Sequence, residues 1–186
     1  MRSYTPLPFL AVMIVFARPT AASLIGGFAI VLLGEMIRFW GVSIAGSETR
    51  TTGKVGGTYL ITNGPFAYVR NPLYLGNMLM YAGIGVMSMA LFPWLLIAAC
   101  VWFYIQYYLI VTNEEEYLRD QFGEEYVEYC RKVRRFIPRA VPYRPARPSP
   151  KNVNPAEGLA SERRTLQAIV LVVGALVVIY VLRLQS

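Results

Sequence analysis

Histidine does not occur anywhere in this chain of 186 residues. Its absence removes the commonest general base near neutral pH, the commonest zinc ligand and the usual haem ligand. Cysteine is nearly as scarce. Cys100 sits in an apolar segment and Cys130 in a charged one, so neither a disulfide framework nor a metal cluster is supported. Charge is thin as well: Asp, Glu, Lys and Arg make up 16% of the chain, against about a quarter in soluble domains. No Gly-x-Gly-x-x-Gly follows a strand pattern and no Walker sequence is present; Gly26-Gly27 and Gly56-Gly57 are isolated pairs. The usual phosphate-cradling loops are therefore excluded.

What the chain has in quantity is apolar sequence. Hydrophobic residues make up 55% and mean hydropathy is +0.42, which indicates one compact membrane domain. Crossing a bilayer takes roughly 20 apolar residues. Five segments are candidates: Leu7 to Ala17, Ala21 to Gly41, Pro72 to Leu91, Trp94 to Val111, and Thr165 to Leu182. The first is short and would need Ser3 to Pro6 to span. With Arg2 ahead of it, it also has the look of a signal peptide, but Phe16-Ala17-Arg18-Pro19 is a poor cleavage site, so a retained helix is expected. Pro93 suits the first turn of the fourth segment. The expected fold class is an all-α integral membrane protein of about five transmembrane helices with a cytoplasmic amphipathic helix. The small residues Ala22, Gly26 and Gly34 are candidates for close helix packing, within the chain or between chains.

The net charge is +7, and its placement gives an orientation. Arg50, Lys54 and Arg70 fall between the second and third segments, and eleven further basic residues, from Arg119 to Arg164, between the fourth and fifth. Five spans put both groups on one face with Arg2, leaving Arg18 and Arg183 on the other. The positive-inside rule makes the crowded face cytoplasmic, in the inner membrane if the source is bacterial. Anionic lipid headgroups explain the basic tail better than nucleic acid does.

Between Glu114 and Val133, apolar or aromatic residues fall at Leu118, Phe122, Tyr126, Tyr129 and Val133. That spacing makes one stripe on a helix, with Gly123 a candidate break. Six prolines from Pro138 to Pro155 then read as an extended basic linker. The expected organisation is an N-terminal hairpin over 1–45, a core over 46–138, a Pro-rich linker over 139–164 and a last helix over 165–183.

Two polar stretches stand where apolar segments meet basic loops. In the first, Asn71 is held away from helical geometry by Pro72 and is placed to cap the following helix, its side-chain oxygen accepting from first-turn amides. That helix start suits an anion, and Phe66, Tyr68 and Tyr74 surround it. A capped helix with an interfacial aromatic belt reads equally well from the residues alone. In the second stretch, Glu114 and Glu115 follow directly on a membrane helix, where a carboxylate opposes the helix dipole. The conflict points to use, although the solvated start of an amphipathic helix would look similar. Arg131, Lys132, Arg134 and Arg135 suit phosphate or carboxylate headgroups, or juxtamembrane anchoring.

Together, Gly64-Pro65-Phe66 through Arg70-Asn71-Pro72-Leu73-Tyr74-Leu75-Gly76, then Glu114-Glu115, Leu118, Phe122-Gly123, Tyr126, Tyr129 and the closing Arg135-Phe136-Ile137-Pro138, resemble the isoprenylcysteine carboxyl methyltransferase and phospholipid methyltransferase superfamily. The resemblance covers roughly residues 50 to 138. It implies an all-helical integral membrane enzyme that uses S-adenosylmethionine to methylate a lipophilic acceptor bearing a carboxylate, thiol or amine. Carried over by position, cofactor contacts fall on Thr58, Tyr59, Leu60 and Ile61, on Phe66, on Asn71, Pro72, Leu73 and Tyr74, and on Glu114. Glu115, Arg131 and Arg135 are weaker candidates for substrate or headgroup contacts. No catalytic residue and no metal ligand is assigned. Asn71 stands where many members have His, and Asn cannot take a proton. Tyr107-Tyr108-Leu109-Ile110 stands where the eukaryotic isoprenylcysteine enzymes carry an Arg, about one turn before the Glu pair. The rival readings are an NADPH-dependent enzyme like the sterol reductases and a non-enzymatic scaffold or transporter subunit.

Overall fold

The structure, a computed structural model, describes residues 6–46, 59–145 and 153–185. These form five α-helices: α1 (Leu7–Val15), α2 (Ala21–Ala45), α3 (Pro72–Ser88), α4 (Trp94–Lys132) and α5 (Pro155–Gln185), with a short 3-10 turn at Gly64–Ala67 before α3. No strand occurs among the described residues.

The helix boundaries follow from local chemistry. Thr20 and Ser23 make a reciprocal capping box at the start of α2: Ser23 N–H donates to Thr20 Oγ1 at 3.1 Å and Thr20 N–H to Ser23 Oγ at 2.9 Å. Pro72 and Pro155 each open a helix, where a missing N–H costs nothing. Asn154 caps α5, its Oδ1 accepting from Glu157 N–H at 3.3 Å. The helix therefore begins inside the stretch expected to be linker.

Three helices are long and apolar enough to cross a membrane: α2, α4 and α5. In their most apolar windows 28%, 22% and 6% of the residues are buried. Apolar helices with so little buried surface need an apolar solvent around them. The other two expected spans are shorter. The nine residues of α1 reach only about 14 Å, and the seventeen of α3 about 26 Å, against a hydrocarbon core of about 30 Å. No breaker stands between Val111 and Leu118, so the first half of the amphipathic stretch continues the apolar helix. The break at Gly123, whose φ of 54° and ψ of −129° are non-helical, then sets off a second helix that ends at Lys132; α4 thus denotes two helices in succession.

The chain divides into two compact units. One comprises Met1–Glu35, Asn77–Ile105 and Arg164–Ser186. Here α2 and α3 approach closely at Gly27 and Gly83: a Cβ on Gly83 would stand 2.7 Å from the Gly27 carbonyl oxygen and 2.8 Å from Val31. The close-packing residue is thus Gly27; its neighbour Gly26 faces open space. Ser23 Oγ donates to the Met87 carbonyl at 3.2 Å, and Tyr81 stacks on Phe103 at 4.1 Å.

The second unit comprises Met36–Gly76 and Gln106–Arg163. Its core is Leu60, Tyr126, Tyr129 and Val133, with Leu118, Phe122, Cys130 and Tyr143 packed against it. The expected stripe on residues 118–133 is all present in that list. The first turns of α5 pack on the end of α2: Asn154 N–H donates to the Ser43 carbonyl at 2.6 Å, and Gly158 lies against Ser43 with no room for a Cβ. Farther along, Arg38 Nη2 meets both oxygens of Glu162 at 2.7 and 2.8 Å, with Glu162 1% exposed.

Candidate active site

Both polar stretches lie in the second unit, and the chain brings them together through backbone. Gly64 takes a positive φ of 57°, and a Cβ there would strike Ile44, so only glycine fits the turn that leads into Pro65-Phe66. Beyond it, residues 67–71 run beside residues 134–143. Arg70 N–H donates to Arg134 O at 2.9 Å, Asn71 N–H to Arg135 O at 3.2 Å, Arg139 N–H to Tyr68 O at 3.0 Å, and Tyr143 N–H to Ala67 O at 2.8 Å. Two side chains reinforce the pairing. The Tyr129 hydroxyl donates to Phe66 O at 2.6 Å, and Arg70 Nη1 donates to Cys130 O at 3.2 Å.

Asn71 occupies the cap position of α3, its carbonyl accepting from Leu75 N–H at 3.1 Å. Its side-chain amide donates to Arg135 O at 3.4 Å. The side chain therefore ties the helix start to the second stretch, a use the capping argument did not anticipate. Pro72 is buried, and Leu73 packs against α2 where Gly41 leaves space. One position on, the Tyr74 ring lies 4.9 Å from the Tyr107 ring, and its hydroxyl donates to Glu114 Oε1 at 2.6 Å.

Glu114 and its neighbour divide their roles. Glu115 is 5% exposed and sits between two guanidinium groups: Arg70 Nη2 at 3.0 Å, and Arg135 Nε at 2.9 Å with Nη2 at 2.8 Å. Arg135 also donates to Thr112 Oγ1 at 3.2 Å and lies 4.8 Å above the Tyr108 ring. Burial alone pulls the Arg135 guanidinium pKa down, but the hydrogen bond and charge of Glu115 outweigh it, and the net shift is upward. A carboxylate held from two sides fixes the rotation of α4. Successive helix positions diverge by about 100°, so Glu114 is directed to a different face, where Tyr74 meets it. Both acids lie well inside α4, so the helix-end dipole conflict expected for them does not arise.

The remaining candidates are placed as follows. Leu60 is buried in the core, Ile61 and Phe66 are half-buried, and Tyr59 is exposed. Arg131 is exposed on the surface of α4. Thr58 lies outside the described residues. Tyr129 is buried and its hydroxyl pKa is pushed up chiefly by desolvation; Tyr126 is raised by burial and then by the Glu115 charge. Arg70 was not among the candidates, although it holds Glu115 and the Cys130 carbonyl. The signal available in the sequence was an arginine lodged between an aromatic turn and a helix start, where no solvent-facing role required it.

A model of the phospholipid methyltransferase family matches residues 22–125, more than half of the chain, and the chain belongs to that family. Among curated relatives, it is 31% identical over 115 residues to the cobalt-zinc-cadmium resistance protein CzcN of Cupriavidus metallidurans, covering 61% of this chain and 48% of that protein. It is 29% identical over 116 residues to protein-S-isoprenylcysteine O-methyltransferase B of Arabidopsis thaliana, covering 60% and 57%. It is 36% identical over 80 residues to the protein-S-isoprenylcysteine O-methyltransferase of Schizosaccharomyces pombe, covering 42% and 33%. The aligned stretches thus span between a third and just over half of the length of these relatives.

Proposed function

We propose that the chain carries out S-adenosylmethionine-dependent methyl transfer to a lipophilic acceptor at the cytoplasmic face of a membrane. The observation that carries this reading is the Tyr74–Glu114 hydrogen bond, which joins the start of α3 to α4 in a chain of the phospholipid methyltransferase family.

The residues present suit such a cofactor. A carboxylate beside two tyrosine rings fits a cation that also carries hydroxyl donors. The first-turn amides of α3 fit its carboxylate, and Phe66 and Tyr59 offer aromatic faces for adenine. When bound, S-adenosylmethionine supplies a methyl group on a sulfonium, electrophilic enough to need no metal. The chain's own task is then alignment and exclusion of water. Tyr74 orients the Glu114 carboxylate, Glu115 holds the helix that carries it, and Asn71 binds the α3 start to Arg135.

Without histidine, a carboxylate or thiolate acceptor is the simplest partner, because neither needs a base near neutral pH. An amine headgroup would have to lose a proton to Glu, Tyr or a group of its own. The basic residues from Arg119 to Arg144 support a cytoplasmic location for this side under the positive-inside rule, and an apolar acceptor enters from the bilayer between helices.

The test is methyl transfer itself. Full-length protein in vesicles is incubated with methyl-labelled S-adenosylmethionine and a total membrane-lipid extract. Label in the organic phase that Glu114→Gln abolishes supports the proposal; wild-type protein that labels no component of lipid or prenylated-peptide extracts overturns it.

A further inference from the structure

Within the second unit, the last turns of α2 are covered from two sides, and every residue over 41–46 is buried. Trp40, Gly41 and Ile44 form one side and meet the segment that leads into α3. The Trp40 ring lies 6.1 Å from the Tyr68 ring, Gly41 leaves space for Pro72 and Leu73, and Ile44 lies against Gly64. At about 100° per residue, Arg38 and Ser43 centre on the opposite side of the helix, and that side meets the first turns of α5.

There α5 presents a narrow polar stripe. Gly158, Ser161 and Glu162 are buried at i, i+3 and i+4, while Leu159, Ala160 and Arg163 beside them are exposed. A Cβ on Gly158 would strike Ser43, the Asn154 N–H donates to the Ser43 carbonyl, and Arg38 Nη2 donates to both oxygens of Glu162. A buried ion pair adds little net stability over apolar side chains of the same volume, and its best-attested use is to fix register. The family match ends at residue 125, so this support reaches the matched core from sequence beyond it.

We propose that the first turns of α5 are a strut that sets, through α2, the position of the α3 start and the turn before it, and that Glu162 is thereby a positioning residue for cofactor binding. The role in cofactor binding rests on the S-adenosylmethionine reading above; the strut itself does not. Close packing transmits small displacements, so a shift of α2 moves Leu73 and Tyr68. Tyr74, which donates to Glu114, is the next residue after Leu73.

Full-length wild type, Arg38→Met/Glu162→Leu and Gly158→Val are compared in detergent. The double variant replaces the ion pair by apolar side chains and should keep the thermal midpoint, so a purely stabilising role would leave every other readout unchanged. The strut predicts faster amide hydrogen exchange over residues 66–75, by about tenfold, with no change over 80–88. The affinity for S-adenosylhomocysteine should fall by about the same factor. Gly158→Val keeps the ion pair but forces the helices apart at Ser43; it should change both readouts in the same direction and carries the test if the double variant does not fold. Wild-type exchange over 66–75 in the folded variants overturns the strut. Faster exchange with unchanged S-adenosylhomocysteine affinity overturns the positioning role of Glu162. Wild-type protein that binds no S-adenosylhomocysteine overturns the functional reading and that role with it, while exchange still decides the strut.

Discussion

The hydroxyl of Tyr74, in the first turn of α3, donates a 2.6 Å hydrogen bond to the carboxylate of Glu114, 40 residues later on α4. A bond this short to an ionised acceptor is of the stronger, charge-assisted kind. It orients one carboxylate oxygen, while Glu115, pinned by Arg70 and Arg135, fixes the helix on which that carboxylate rides.

Tyr74→Phe keeps the ring against Tyr107 and removes only the hydroxyl. Loss of a hydrogen bond to a charged group costs the fold about 1.5–3 kcal/mol, so the thermal midpoint should drop, and with the Glu114 carboxylate no longer oriented cofactor affinity should also fall about tenfold. A lowered midpoint with unchanged affinity would make Tyr74 a packing residue.

Glu115→Gln should act on the fold first. Removing the carboxylate leaves two largely buried guanidinium groups facing each other, and breaking a buried pair costs about 3–5 kcal/mol. Thermal unfolding in detergent should show a large drop. Returning the cluster to its original net charge with Arg70→Met in the same chain should recover part of it by removing the repulsion, and a double variant less stable than Glu115→Gln would contradict the assignment.

The Arg38–Glu162 pair supplies a handle on α5, whose sequence lies outside the family match. With Glu162 1% exposed and Arg38 14% exposed at their side chains, Glu162→Gln should destabilise by about 3 kcal/mol, whereas Arg38→Met/Glu162→Leu should be close to neutral. Limited proteolysis across 139–154 should accelerate in the single variant alone.

Much of the second unit was legible in the sequence. The stripe from Leu118 to Val133 did become the core, and Gly123 did break the helix, because period and glycine chemistry are local properties. The helix-end reading of Glu114 failed because hydropathy stops at Val111 while helical propensity does not. The partners of Glu115 were invisible for a different reason: Arg70 comes from before α3 and Arg135 from beyond α4, and only the folded backbone pairing of residues 67–71 with 134–143 brings them together. The start of α5 at Pro155 was hidden by proline's two roles, breaker in mid-helix and favoured residue in a first turn.

Alkaline pH offers a check on the Tyr129–Phe66 contact. Burial holds the Tyr129 hydroxyl pKa above its ordinary value near 10, so the folded chain keeps a proton that the unfolded chain releases. Stability from this group is complete below pH 10 and declines as pH rises beyond it. Tyr129→Phe should lose about 1 kcal/mol at neutral pH and show a shallower alkaline decline. The slope should not vanish, since burial also raises Tyr126 and Tyr143. An identical alkaline profile in the variant would refute the assignment.

Binding of the methyl donor tests the central claim most directly. Isothermal titration of the full-length protein in detergent with S-adenosylhomocysteine should give saturable binding, and Glu114→Gln, which keeps the shape of the side chain and removes its charge, should weaken it at least about tenfold. Wild-type protein that binds neither S-adenosylhomocysteine nor S-adenosylmethionine, or a Glu114→Gln variant that binds as tightly as wild type, would contradict the account.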